Sequence, residues 1–138
     1  MTRLTSRLLA MAVATVMVVL VACSTGPSPS ASTTRPSSPA KISIVSPVAG
    51  ETVHGTTVHI VLSLSGATIV KQTTTNIRPD QGHVHLYVDN VLVSMNYGLE
   101  QDLPVHPGTY VLKAEFVAAD HAPFNPRVWS VETIFTVQ

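Results

Sequence analysis

From residue 41 onward the chain alternates apolar and polar residues with a period of two. Ile42 and Ile44 flank Ser43 ahead of Pro47, and Val58, Ile60, Leu62 and Leu64 interleave with His59 and Ser63. Val84, Leu86 and Val88 alternate with His83, His85, Tyr87 and Asp89, and Tyr110, Leu112, Ala114 and Phe116 alternate with Thr109, Lys113 and Glu115. Val131, Thr133, Phe135 and Val137 close the chain in the same rhythm. Successive side chains of a strand point to opposite faces, so this rhythm predicts strands with one face in a core. No segment sustains a 3.6-residue period. β-Branched residues are frequent, and Gly, Pro and Asn punctuate the runs. The pattern predicts an all-β domain over residues 41–138, an antiparallel β-sandwich of about seven strands. Asp89-Asn90 has the residue types of a tight hairpin turn, and the polar stretch from Gln72 to Gln81 reads as a loop.

The first 40 residues break the rhythm. Arg3 and Arg7 precede an uncharged apolar run over residues 8 to 22. At about 15 residues the run falls short of the roughly 20 that span a bilayer as a helix. A positive start, a short apolar core and small residues at its end are the marks of a secretory signal. Residues 24 to 40 hold Ser, Thr, Pro, Gly, Ala and one Arg, with no aliphatic side chain larger than alanine. Nothing there repays the entropy of ordering, so the segment reads as a disordered tether. Its prolines favour extended geometry, with a reach of roughly 50 Å at about 3.1 Å per residue.

The apolar run ends in Leu20-Val21-Ala22-Cys23, which resembles the lipobox of bacterial lipoproteins. That resemblance implies removal of residues 1–22, a diacylglycerol thioether and a further acyl group such as palmitate on Cys23, and anchorage on the extracytoplasmic face of a cell membrane. Two or three acyl chains anchor a protein stably where one does not. Cys23 is the sole cysteine, so no internal disulfide forms. The partners implied are the membrane, through the lipid, and an envelope protein.

Charge and motifs narrow the function of the folded part. Residues 41–138 carry five Lys and Arg against eight Asp and Glu, with no basic patch, which argues against nucleic acid. No serine lies in a Gly-x-Ser-x-Gly context, no Gly-rich phosphate loop occurs, and no carboxylates are spaced as an evident acid–base pair. The expectation is a non-catalytic module.

Six histidines are the one chemical lead: His54, His59, His83, His85, His106 and His121. In Gly82-His83-Val84-His85 the two imidazoles share a strand face, roughly 7 Å apart. That is close enough to converge on one Cu or Zn ion, since metal–nitrogen bonds are about 2 Å long. Their face is opposite Val84, Leu86 and Val88, so they meet solvent or a covering loop. His121, in the proline-rich stretch from Ala119 to Pro126, is the candidate third ligand. Asp89 shares the strand face, and His106 is a further candidate. The competing reading is structural, with the imidazoles bonded to backbone groups of the long loops.

Pro107-Gly108-Thr109-Tyr110-Val111-Leu112 resembles the start of strand F of immunoglobulin-type domains, where a tyrosine bonds back to the backbone in a tyrosine corner. Leu112 stands where such domains place their second cysteine. The opening from Ile44 to Val53 resembles the first strand of bacterial Ig-like modules. From Gly82 to Ser130 the chain is similar to a family of secreted or periplasmic Ig-like domains with a Gly-His-His-His stretch leading into Asp, a Pro-Gly turn and a late His-x-Pro segment. Matched position by position, His83, His85, Asp89 and His121 carry over, while Val84 and Tyr110 replace two of that family's histidines. The resemblance implies an Ig-like sandwich and singles out these residues without implying a reaction. A looser likeness to periplasmic copper-handling sandwiches does not extend to their ligands: a lipidated Cys23 leaves no free N-terminal histidine, and Met95 is the one methionine of the folded part.

Overall fold

A computed structural model describes residues 34–138. The expected signal segment, Cys23 and the first part of the tether lie outside the described residues. Eight strands of five or more residues form the body: β1 (Lys41–Ser46), β3 (Thr57–Ser65), β5 (Gln81–Val88), β6 (Val91–Asn96), β7 (Glu100–Pro104), β8 (Gly108–Ala118), β9 (Pro123–Trp129) and β10 (Thr133–Val137). Two-residue bridges, β2 (Thr52–Val53) and β4 (Thr68–Ile69), complete the order. Among the described residues no helix is long and apolar enough to cross a membrane.

The strands make two sheets. One has the order β1-β3-β7, and the other β2-β10-β8-β5-β4, with β6 on β5 and β9 on β8. Pairing is antiparallel except for the short β10–β2 and β4–β5 contacts. The all-β sandwich expected from the alternation is therefore present.

Each sheet supplies one face of the core as the period predicted. Ile42, Val58, Ile60 and Leu62 from the small sheet are buried with Val84, Leu86, Leu112, Ala114, Phe116, Phe135 and Val137 from the large one. Side chains of this size contribute about 1.5–3 kcal/mol each on full burial. Phe116 and Phe124 stack at 5.7 Å, and Tyr110 stacks on Phe135 at 5.4 Å. Leu112, at the position of the missing cysteine, is wholly buried, so apolar packing fills that place.

The two turns read from sequence are built as their chemistry requires. Asp89 and Asn90 both take left-handed conformations, φ 50° and 66°, the pair of positive angles a two-residue type I′ turn demands. The Tyr110 hydroxyl donates to the carbonyl of His106 at 2.8 Å and accepts from its N–H at 3.1 Å, completing a tyrosine corner.

One region goes beyond what the alternation shows, and another differs from expectation. The Pro-rich stretch after His121 is an edge strand, β9. Pro123 pairs with Val117, but the next partners are Val128 with Phe116, so a bulge absorbs the intervening residues, Pro126 among them. Proline is tolerated where no ladder donor is needed, at an edge or a bulge. The region that differs is the end of the expected tether, residues 34–40. Residues 34–40 have no regular structure, yet Ala40 is buried, Asn125 donates to the Pro36 carbonyl at 3.0 Å, and Arg35 reaches the β8–β9 turn. A guanidinium supplies in hydrogen bonds what the segment lacks in apolar surface.

Candidate functional site

The outer face of the large sheet carries the polar residues of β5 and β8. It divides into two nests, both covered by other chain segments.

The first nest holds His83 and His85. They alternate with Val84 and Leu86 as expected, but they are only 0% and 5% exposed. The covering segment runs over residues 70–77 and is held by Val70 N–H to Gly82 O at 3.0 Å and Thr74 N–H to Ala119 O at 3.1 Å. Gly82 matters here, because a Cβ at this position would come within 1.9 Å of the Val117 carbonyl. The third histidine arrives from the β8–β9 turn. Asp120 Oδ1 accepts from the Ala122 N–H at 3.1 Å, and His121 N–H donates to Ala118 O at 2.9 Å. His121 itself sits at φ 64°, a left-handed conformation that costs a non-glycine residue on the order of 1 kcal/mol and turns its ring over β5.

The three imidazoles meet. His83 and His121 have ring centroids 4.2 Å apart, and His85 and His121 stack at 5.6 Å. His85 Nε2 lies 3.3 Å from His121 Nδ1. The other His121 nitrogen, Nε2, is 3.2 Å from Thr73 Oγ1 and 3.4 Å from the Tyr97 hydroxyl. Tyr97 also stands edge-on to His83, with centroids 4.8 Å apart. Neither ring nitrogen of His83 completes a well-aligned hydrogen bond, although backbone groups of Val70 and Gln72 approach the ring. Burial, before any other cause, lowers the proton affinity of His83 and His85, and His121 adds repulsion at both. Backbone groups of Val70 and Gln72 oppose the shift at His83, and the Glu115 charge opposes it at His85. Among the described residues no three His, Cys, Asp or Glu side chains are already disposed around one point as metal ligands.

The other candidates stand apart. The Asp89 carboxylate accepts from Val111 N–H at 3.0 Å in its own turn, at the far end of β5. His106 is exposed and gives its backbone to the tyrosine corner. His59, on the small sheet, is exposed and pairs with Asp102 at 2.8 Å. His54 is exposed.

The second nest was not foreseen. Glu115 is fully buried and lies directly across from His85 in the β5–β8 register. Arg127 of β9 grips it with two nitrogens, at 2.5 and 2.7 Å, and the Tyr87 hydroxyl donates at 3.2 Å. Trp129 closes the nest beneath Arg127 and Lys113, 4.4 and 4.8 Å from its ring centre. The signal available in the sequence was a lone carboxylate inside the apolar run Ala114–Ala118, a position that requires a cationic partner. Thr73, Tyr97 and Arg35 left no comparable trace.

The fold, with its tyrosine corner, is an Ig-like β-sandwich. A solved structure of Clostridium thermocellum CbhA fibronectin(III)-like modules is similar, at 26% identity and a TM-score of 0.52. The match covers 70% of this chain and 45% of that one, so this chain spans less than half the length of its structural neighbour. No protein-family model matches the chain, and no curated protein matches it.

Proposed function

We propose that the protein is a lipid-anchored module of the cell envelope, displaying a non-catalytic fibronectin-III-like domain on the extracytoplasmic face of the membrane. The observation that carries the reading is the succession along one chain: an apolar leader ending in Leu20-Val21-Ala22-Cys23, a Ser/Thr/Pro-rich segment, then a fibronectin-III-like sandwich. The role is accessory, to hold or space an envelope partner, and the membrane is reached through acyl chains on Cys23. With Arg35 docked on the sandwich, the chain from Cys23 to Arg35 reaches at most about 40 Å when extended.

Mass spectrometry of the protein from a native membrane fraction tests the anchor. The expected product begins at Cys23 and carries the mass of a diacylglycerol thioether plus an amide-linked acyl chain. Cys23→Ala is expected to abolish the modification and release the protein from the membrane fraction. A mature chain retaining Met1, or a free thiol at Cys23 in a soluble product, would refute the reading.

A further inference from the structure

We propose that His83, His85 and His121 form a three-imidazole site for a tetrahedral divalent metal ion, zinc(II) foremost, with His85 Nε2 and His121 Nδ1 as two of its donors. This goes beyond the anchoring role and rests on side-chain geometry alone.

The distance between those two nitrogens is informative. Two donors bonded at about 2.0–2.1 Å to one tetrahedral ion stand about 3.3–3.4 Å apart, whereas a right-angled pair on a square-planar ion stands about 2.9 Å apart. The observed separation, 3.3 Å, fits the tetrahedral bite and is also that of a hydrogen bond between the two rings. The outer nitrogen of His121 faces the hydroxyls of Thr73 and Tyr97. With Nε2–H donating to Thr73 Oγ1, the Nδ1 lone pair is free and aimed at His85. A metal-binding imidazole is ordinarily oriented in this way, by a second-shell acceptor on its other nitrogen.

His83 supplies the independent observation. It is fully buried and lies against His121, and neither ring nitrogen completes a hydrogen bond, although backbone groups of Val70 and Gln72 approach the ring. A polar group buried without a partner costs about 1–3 kcal/mol, and a bound cation would satisfy one nitrogen outright. Coordination by His83 requires its ring to turn from its tilted contact with His121, where the centroids are 4.2 Å apart. The left-handed conformation of His121 is a local strain of the kind that persists where a side chain must be aimed.

The test uses the full chain in detergent with Cys23→Ser, so that no thiol competes for the ion and the outcome is independent of lipidation. Titration with zinc(II) against a chromophoric chelator is expected to show one equivalent bound at micromolar or tighter affinity. Cobalt(II) is expected to give the intense visible bands of a four-coordinate ion, a readout that needs no histidine variant. His85→Ala and His121→Ala should each weaken zinc binding by at least about tenfold. Thr73→Val with Tyr97→Phe, which keeps every ligand, should weaken it by about 10–100-fold. His59→Ala is the control and should change nothing. Absence of binding at 100-fold excess of zinc, a pale six-coordinate cobalt spectrum, or affinity that follows His59 instead of the cluster would overturn the proposal.

Discussion

The two nests on the outer face of the large sheet are neighbours built on opposite principles. Glu115 is as deeply buried as His83, but its carboxylate accepts from Arg127 twice and from Tyr87 once. It is a closed ion pair, and the same hydrogen bond raises the proton affinity of Arg127 further. The histidine nest, which meets Glu115 at the directly paired His85, holds three imidazoles and leaves both ring nitrogens of His83 without a completed hydrogen bond. Buried polar groups in folded proteins are almost always satisfied. A satisfied nest explains itself as structure; an unsatisfied one beside it, in the same sheet and under comparable cover, calls for a further partner.

The contrast breaks most visibly if the closed nest is opened. Arg127→Met is expected to destabilise the protein by about 3 kcal/mol, because removing one member of a buried pair strands the other charge. The value sits at the low end of the usual range, since Arg127 is half exposed and water can enter. Urea unfolding measures it. Glu115→Gln should cost less, as the amide keeps hydrogen-bonding capacity and the freed guanidinium reaches solvent. If the two variants lose equally little, Glu115 is not held as a closed ion pair.

The histidine nest should answer in the opposite sense. In the absence of metal, His83→Leu is expected to stabilise the protein by about 1 kcal/mol, because an unpaired polar ring gives way to an apolar side chain of similar size. Excess zinc should reverse the ranking, since only the natural chain gains by binding. Acidity offers a second probe. The folded-state proton affinities of His83 and His85 are lowered, so below about pH 6.5 the unfolded chain takes up protons that the folded one refuses. The stability contributed by neutral imidazoles is therefore complete above that pH and drains away as pH falls. Thermal unfolding from pH 7.5 to 5.5 should show this loss, reduced in His83→Leu. A flat profile would mean that the rings titrate as freely as exposed ones.

Periodicity located the sandwich because hydrophobic burial is encoded residue by residue: Val84 and Leu86 point inward wherever the strand sits. The same rule placed His83 and His85 side by side. It could say nothing of Thr73 or Tyr97, which reach His121 through a covering loop and the end of β6, contacts set by tertiary closure. Asp89 failed as a ligand for a local reason. Two positive φ angles in the turn direct its carboxylate to Val111, so the strand alternation that placed it with the histidines stops one residue short. The strand β9 was hidden by its prolines, whose allowance at edges and bulges is visible only once pairing is known.

The smallest expected effect joins the strap to the histidines. Arg35 binds both Asp120 oxygens, at 2.6 and 2.9 Å, and the carbonyls of Ala122 and Pro123, at 2.8 and 2.9 Å. Those acceptors flank His121, so the guanidinium fixes the turn that aims the third imidazole. Arg35→Ala is expected to cost about 1 kcal/mol or less, as befits a partly exposed pair. It should also weaken zinc binding by less than the loss of a ligand does. The hydrogen bond from Arg35 holds the Asp120 carboxyl below its ordinary range, so the stability it contributes is complete above about pH 4 and is lost as pH falls through the lower folded value. In Arg35→Ala that acid limb should shrink while the histidine limb above pH 5 stays, and Arg35→Lys should restore little because an ammonium cannot span four acceptors as a planar fork does. Unchanged zinc affinity in Arg35→Ala would show that the turn aims His121 without help from the strap, leaving the histidine nest a property of the sandwich alone.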